Sequence, residues 1–223
     1  MKKAQLEFTT ILNDAFAQYE RKIFIFMATN REKYEGFARL NLEPKSHSRD
    51  EVLQRIAFAI LSANAPFDYT IKALNVVIKK DGKIHARDIM FYKMVPAKAK
   101  YIRELYAIPT QVLLRQRDES WHEYRMRLKA RVKGLGLAKA SFAASLLYPL
   151  EADLACVDTW IQKVFLGHTG FKSLGLMDYL TVEAKIRTYA NAFGCSTFLA
   201  QWMIWDHARK ETNSHAIFPG SHK

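Results

Sequence analysis

Apolar residues at Leu12, Phe16, Tyr19, Ile23 and Phe26 recur in alternating steps of four and three, the stripe of an amphipathic helix. Within it, Ile23 to Phe26 is apolar on every side, so this patch reads either as helix or as a short strand. The polar run from Asn41 to Arg49, with Pro44 and two serines, predicts a connection. Ser48 or Asp50 is then placed to cap a helix over Glu51–Ala65, EVLQRIAFAILSANA. The pattern predicts further helices over Tyr69–Lys79, Ala86–Tyr92, Ala97–Ala107, Pro109–Arg115 and Ser120–Val132, with a turn at Asp81-Gly82. After a Gly134-Leu135-Gly136 turn come helices over Ala138–Leu147, from Asp158 onward, over Val182–Ala192 and over Thr197–Lys210. Gly167, Gly170 and Gly175 mark a looser connection, and the chain ends in a polar tail. No segment alternates with period two for long, so the expected class is all-α.

Composition narrows this only slightly. A chain of 223 residues, 49% apolar and with nine Gly and six Pro, suits a compact helical protein of one large or two small domains. Charge adds more: +12 and a pI near 9.7 make a polyanion the default partner, the plainer reading being that the charge keeps the protein in solution. The longest apolar runs are too short to span a bilayer. In the opening MKKAQLEFTTIL and the residues after it, Glu7, Asn13 and Asp14 interrupt any secretory apolar region. Cys156 and Cys195 are too few for a disulfide framework or a cysteine-ligated iron–sulfur cluster, which fits a reducing cytoplasm, cellular or that of an infected host.

The candidate chemistry lies between Val132 and Phe165. In Gly134-Leu135-Gly136 the two glycines allow positive φ and close backbone approach, and the N–H groups of the helix that follows point at an anion. Lys133 and Lys139 flank the turn. A glycine turn between two packed helices is also an ordinary structural feature. Two basic clusters lead toward this one. Arg115 to Lys133 carries seven Lys or Arg against three acids, and Pro96 to Arg103 adds Lys98, Lys100 and Arg103. Such a grip holds DNA phosphate without reading sequence. Asp158, where a new helix begins, is a favoured N-cap contributing about 1 kcal/mol. A carboxylate there could also stabilise a sugar cation when an N-glycosidic bond breaks.

These stretches resemble the helix-hairpin-helix (HhH-GPD) superfamily of base-excision DNA glycosylases. VKGLGLAKA, Val132 to Ala140, is similar to the family's LPGVGxKTA hairpin, and CVDTWI, Cys156 to Ile161, to its VDxH-type segment. ILSANAPFDYTIKAL, Ile60 to Leu74, resembles its LLSAQ segment, and VPAKAKYI, Val95 to Ile102, its KA-x-x-I segment. The likeness runs in consistent order from about Leu53 to Gly167. It implies a two-lobed all-α fold, residues 53–167 forming the hairpin domain and residues 1–52 plus 168–223 the second lobe, with duplex DNA in the cleft between them. It implies a monomer that needs no cofactor beyond a possible Na or K ion at the hairpin, and that binds double-stranded DNA carrying a damaged base.

Position by position, Asp158 falls on the family's catalytic aspartate, Gly134, Leu135, Gly136, Lys133 and Ala140 fall in its phosphate-binding hairpin, and Asn64 falls where relatives fill the gap left by the flipped base. Lys98 and Lys100 lie in the basic segment that leads to the hairpin. The nucleophile departs from the pattern. Lyase members carry lysine two residues after the second glycine, where this chain has Ala138; Lys139 is one residue later. One residue turns a side chain by about 100° on a helix, so Lys139 is expected to face phosphate and water to attack under Asp158. A shifted hairpin that returns Lys139 to the sugar is the alternative. Trp160, Trp202, Trp205 and Asp206 are the candidate base pocket, though aromatics at this spacing also build cores. Trp160 stands where relatives often have histidine. The base is left open between an 8-oxoguanine-like purine and an altered pyrimidine. Two rival readings are a non-catalytic DNA-binding module and an enzyme that replaces a modified base.

Overall fold

The computed structural model describes residues 2–90, 95–167 and 174–210, with side chains from residue 17 onward and residue 95 by its backbone alone. The side chains of Leu12 and Phe16, Tyr92 at the end of an expected helix, Gly170 and the polar tail lie outside the described residues. The helices are α1 (Lys2–Phe37), α2 (Arg49–Leu61), α3 (Phe67–Lys79), α4 (Val95–Tyr106), α5 (Thr110–Leu113), α6 (Trp121–Arg131), α7 (Leu137–Leu147), α8 (Thr159–Leu166), α9 (Leu176–Phe193) and α10 (Thr197–Arg209). There is no strand among the described residues, and Ile23 to Phe26 is helical.

The caps follow the sequence. Ser48, rather than Asp50, accepts the Glu51 N–H and opens α2. Ser120 and Glu123 form a reciprocal capping box at α6, and Ser196 accepts the Leu199 N–H at α10. Elsewhere tertiary bonds shorten the expected helices. The guanidinium of Arg127 donates to the carbonyls of Val112 and Leu114, which ends α5 after one turn, where Pro109–Arg115 was expected to be helical. Of the helix expected over 86–92, a 3₁₀ turn at Ala86–Ile89 is described, pinned by Asp88 accepting from the His85 N–H and from Lys80. A π-helical turn, Ala38–Leu42, extends α1 into the stretch read as a connection. Arg55 holds its end by donating to the Leu42 carbonyl.

Packing gives the two lobes. α1, α9 and α10 pack together, and α2 gathers α3, α4, α5 and α7, with α6 on α7. α8 packs on α10 and so carries the start of its own helix, Asp158, to the junction. Under that junction lies a buried ion pair: Arg125 of α6 donates to Glu183 of α9 at 2.7 Å, both side chains almost wholly enclosed. Arg125 also reaches Ser141 and His122, and lies over the Tyr179 ring. Removing one partner of such a pair leaves a bare charge in the interior, at a cost of about 3–5 kcal/mol. Arg125→Met should therefore lose about that much in urea denaturation, far more than the exposed Arg39→Met, whose pair with Glu35 lies on the surface.

Candidate active site

α6 ends at Arg131 and α7 begins at Leu137, and the turn between them uses its glycines differently. Gly134 has φ +87°, and a Cβ there would lie 2.5 Å from the Tyr101 ring, so both conformation and space require glycine. Gly136 is extended, with φ −76°, and has room for a Cβ. Only the first glycine needs the positive φ expected of both. Gly136 is the N-cap of α7, which leaves the N–H groups of Gly136, Leu137, Ala138 and Lys139 without an intrahelical acceptor. Ala140 corrects the expected grip: its N–H is spent on the Gly136 carbonyl and its side chain is buried. Lys133 is exposed beside the turn, and Leu135 anchors it in the core.

Lys98 is also not where a phosphate contact would be. It is buried, and its Nζ donates to the carbonyls of Leu61, at 3.0 Å, and Ala63, at 2.5 Å. Burial, with Lys139 nearby, pulls its pKa down to about 8. Lys100, two residues on and so on another face of α4, is exposed 3.8 Å from Glu104.

Between the lobes lies a pocket of about 610 Å³, within the ~300–1,000 Å³ usual for ligand clefts. Asp158 lines it with both oxygens engaged. Oδ1 accepts the N–H groups of Trp160 and Ile161, each at 3.0 Å, and Oδ2 accepts the Trp205 indole N–H at 2.9 Å. The strand-like segment before it is held from below. Glu183 accepts the Ala155 N–H, and the Tyr179 hydroxyl donates to the Ala155 carbonyl while accepting the Val157 N–H. The carboxylate is thus fixed by three donors and a braced backbone.

Lys139 corrects its expected direction. Its Nζ donates to Ser62 Oγ at 2.9 Å and lies 5.1 Å from the Phe142 ring centre, inside the same pocket as Asp158. Ala138 lines the pocket too, so the cavity wraps the first turn of α7 widely enough for a long side chain one position later to enter it. Cys156 is also there, but burial pushes its thiol up to about 12, so it stays protonated.

Asn64 stands at the pocket in a left-handed conformation, φ +54°, which Asn tolerates better than most residues. Of the four expected base-pocket residues, Trp160, Trp202 and Trp205 line the cavity. Trp202 forms its floor, packed edge-on to Tyr34 and Phe37. Trp160 is partly exposed, with Lys163 over its ring, and Arg209 stacks 4.2 Å over Trp205. Asp206 does not face the pocket: it is wholly buried and accepts a hydrogen bond from Tyr34. One residue's rotation along α10 separates it from Trp205. Ser62, Phe142 and Gln162 also line the pocket, unforeseen from sequence. Only Ser62, inside the ILSANA stretch, lay in a segment that carried a signal.

No protein-family model matches the sequence, and neither does any curated protein. Solved structures do match. The 8-oxoguanine DNA glycosylase of Thermotoga maritima has a TM-score of 0.62 at 21% identity, over 87% of this chain and 96% of that one. The 8-oxoguanine glycosylase/lyase of Methanocaldococcus jannaschii, in complex with a DNA 15mer containing 8-oxoguanine, gives 0.68 at 16% identity, over 85% and 98%. The Clostridium acetobutylicum 8-oxoguanine glycosylase/lyase, bound to duplex DNA, gives 0.55 at 15% identity, over 92% and 75%. At these identities what is shared is architecture: the protein has the two-lobed helical fold of the helix-hairpin-helix DNA glycosylases.

Proposed function

We propose that the protein is a DNA glycosylase that turns a modified base out of duplex DNA into this pocket and cleaves its N-glycosidic bond. The observation that carries the reading is the meeting of a lysine amine and a fixed carboxylate in one cavity beside a helix-hairpin-helix turn. Free N–H groups at the start of α7, with Lys133, hold a phosphate; Lys100 adds basic surface on α4, and Asn64 occupies the space the base leaves. A Na or K ion at the turn would take the Val132 carbonyl, which the Leu135 N–H engages at a long 3.3 Å, and would add positive charge toward the phosphate.

Asp158 acts through its charge. A carboxylate about 4 Å from an oxocarbenium-like sugar, at an effective dielectric near 20, lowers the barrier by about 4 kcal/mol, or ~10³-fold in rate. Its three hydrogen-bond donors suit it to this role better than to taking a proton from water. The amine inside the pocket favours the lyase route over the water attack read from the sequence. Lys139 Nζ, as the free amine, attacks the anomeric carbon as the bond to the base breaks; the base leaves with that electron pair and takes up the proton that the new C–N nitrogen sheds. The bond from the anomeric carbon to the ring oxygen then breaks, the oxygen takes up a proton, and the Schiff base so formed is the species that leads to strand cleavage and that borohydride reduces.

Support for the base comes from the pocket lining, where Gln162 and Gln201 carry amides able to pair with the polar edge of a flipped base. They suit a base that presents N–H groups, and an oxidised purine of the 8-oxoguanine kind, the base named for the similar structures, has several.

Two outcomes are expected with duplexes carrying 8-oxoguanine or a panel of other modified bases. Borohydride should trap a covalent complex with the wild type and none with Lys139→Gln. Excision followed by strand breaks only after alkali, with no trapped complex, would return the chemistry to water. Asp158→Asn keeps an N-cap oxygen and should leave DNA affinity intact while slowing excision by ~10³-fold. Full activity in that variant would remove the carboxylate from the mechanism, and DNA binding without excision of any base would make the protein a binding module.

A further inference from the structure

A second lysine, buried and outside the chemistry described above, bears on the first. Lys98 crosses from α4 to the end of α2, where its Nζ donates to the carbonyls of Leu61 and Ala63. Those carbonyls bracket Ser62, the hydroxyl that accepts from Lys139. They also precede Asn64, held at φ +54°. Leu61 closes α2, where the last carbonyls have no donor within the helix and the dipole is negative. A single ammonium therefore sets the path of the loop that carries both the partner of Lys139 and the residue at the pocket mouth.

The burial is costly and unusual. Lysine is seldom fully enclosed, and here the Nζ of Lys98 is aimed at two backbone carbonyls. Desolvation and the charge of Lys139 both oppose its protonation, yet at about 8 it is still mostly an ammonium at neutral pH. A methionine would fill the same space without that penalty. An ammonium is needed there only if the carbonyls must be held.

We propose that Lys98 is a positioning residue for the lysine chemistry, fixing the Leu61–Asn64 loop so that Ser62 holds Lys139 Nζ in line with the anomeric carbon. This rests on Lys139 being the nucleophile. Its charge is directed at backbone within the protein, so it contributes little to DNA affinity.

The test is the rate of borohydride trapping at saturating duplex, measured beside the DNA dissociation constant and its salt dependence. Lys98→Met should slow trapping by roughly 10²-fold, the scale of a misplaced reacting group, with DNA affinity and salt slope unchanged. Lys98→Arg, which can still donate to both carbonyls, should keep most of the rate. Ser62→Ala should slow trapping as well, and the double variant Lys98→Met/Ser62→Ala should be no slower than Lys98→Met alone, because both act through one contact. If Lys98→Met fails to fold, Ser62→Ala and Lys98→Arg carry the test, and a wild-type rate in Ser62→Ala overturns the inference. So does a wild-type rate in Lys98→Met, or a loss of affinity with a shallower salt slope, which would make Lys98 a phosphate contact. Trapping that survives in Lys139→Gln would instead overturn the nucleophile assignment on which the inference stands.

Discussion

The pair between Arg125 and Glu183 is the constraint on which the site depends. It joins α6, the helix that leads into the hairpin, to α9 of the other lobe, and it does so in the interior. Glu183 uses the same Oε1 to accept the Ala155 N–H, while Tyr179, one turn earlier on α9, clasps Ala155 and Val157. The segment that delivers Asp158 is not part of a helix or sheet and would have no regular partners of its own. Its backbone groups are satisfied by these side chains instead, as buried backbone requires. A change in the spacing of the lobes would be felt at once in the direction of the carboxylate.

Asp158 shows how a local role and the chemical one proposed for it can share a side chain. One oxygen closes the first turn of α8, as any N-cap would. The other is turned to the pocket by Trp205, a residue of α10, so its direction is decided by the packing of α8 on α10 rather than by α8 itself. Trp205 in turn lies under Arg209. A cation stacked on the face of an indole whose edge N–H meets a carboxylate holds the ring from two directions and stiffens the pocket wall.

The fold and the hairpin were legible because they rest on local rules. Hydrophobic spacing, Ser-x-x-Glu capping at Ser120, and a glycine turn before an apolar helix each act within a few residues. The misread positions are those where a distant group intervened. α5 stops after one turn because Arg127 takes its carbonyls, and Lys98, which the basic pattern of its segment assigns to phosphate, is drawn inward by the end of α2. Asp206 looked like a pocket residue on helical spacing, and Tyr34, far away in the chain, claims it instead.

The sequence alone determined an all-helical class with a glycine turn at Gly134 and a helix-capping carboxylate at Asp158, since steric limits on φ and the unpaired N–H groups of a helix start are properties of a few consecutive residues. Only the tertiary structure decided which way Lys139 points. A helical register fixes the angle of a side chain about its own axis and says nothing of how far the neighbouring helices have opened around it. Here the cleft reaches far enough around the first turn of α7 that Ala138 and Lys139 both line it, and the longer of the two brings its amine into the pocket that holds the carboxylate.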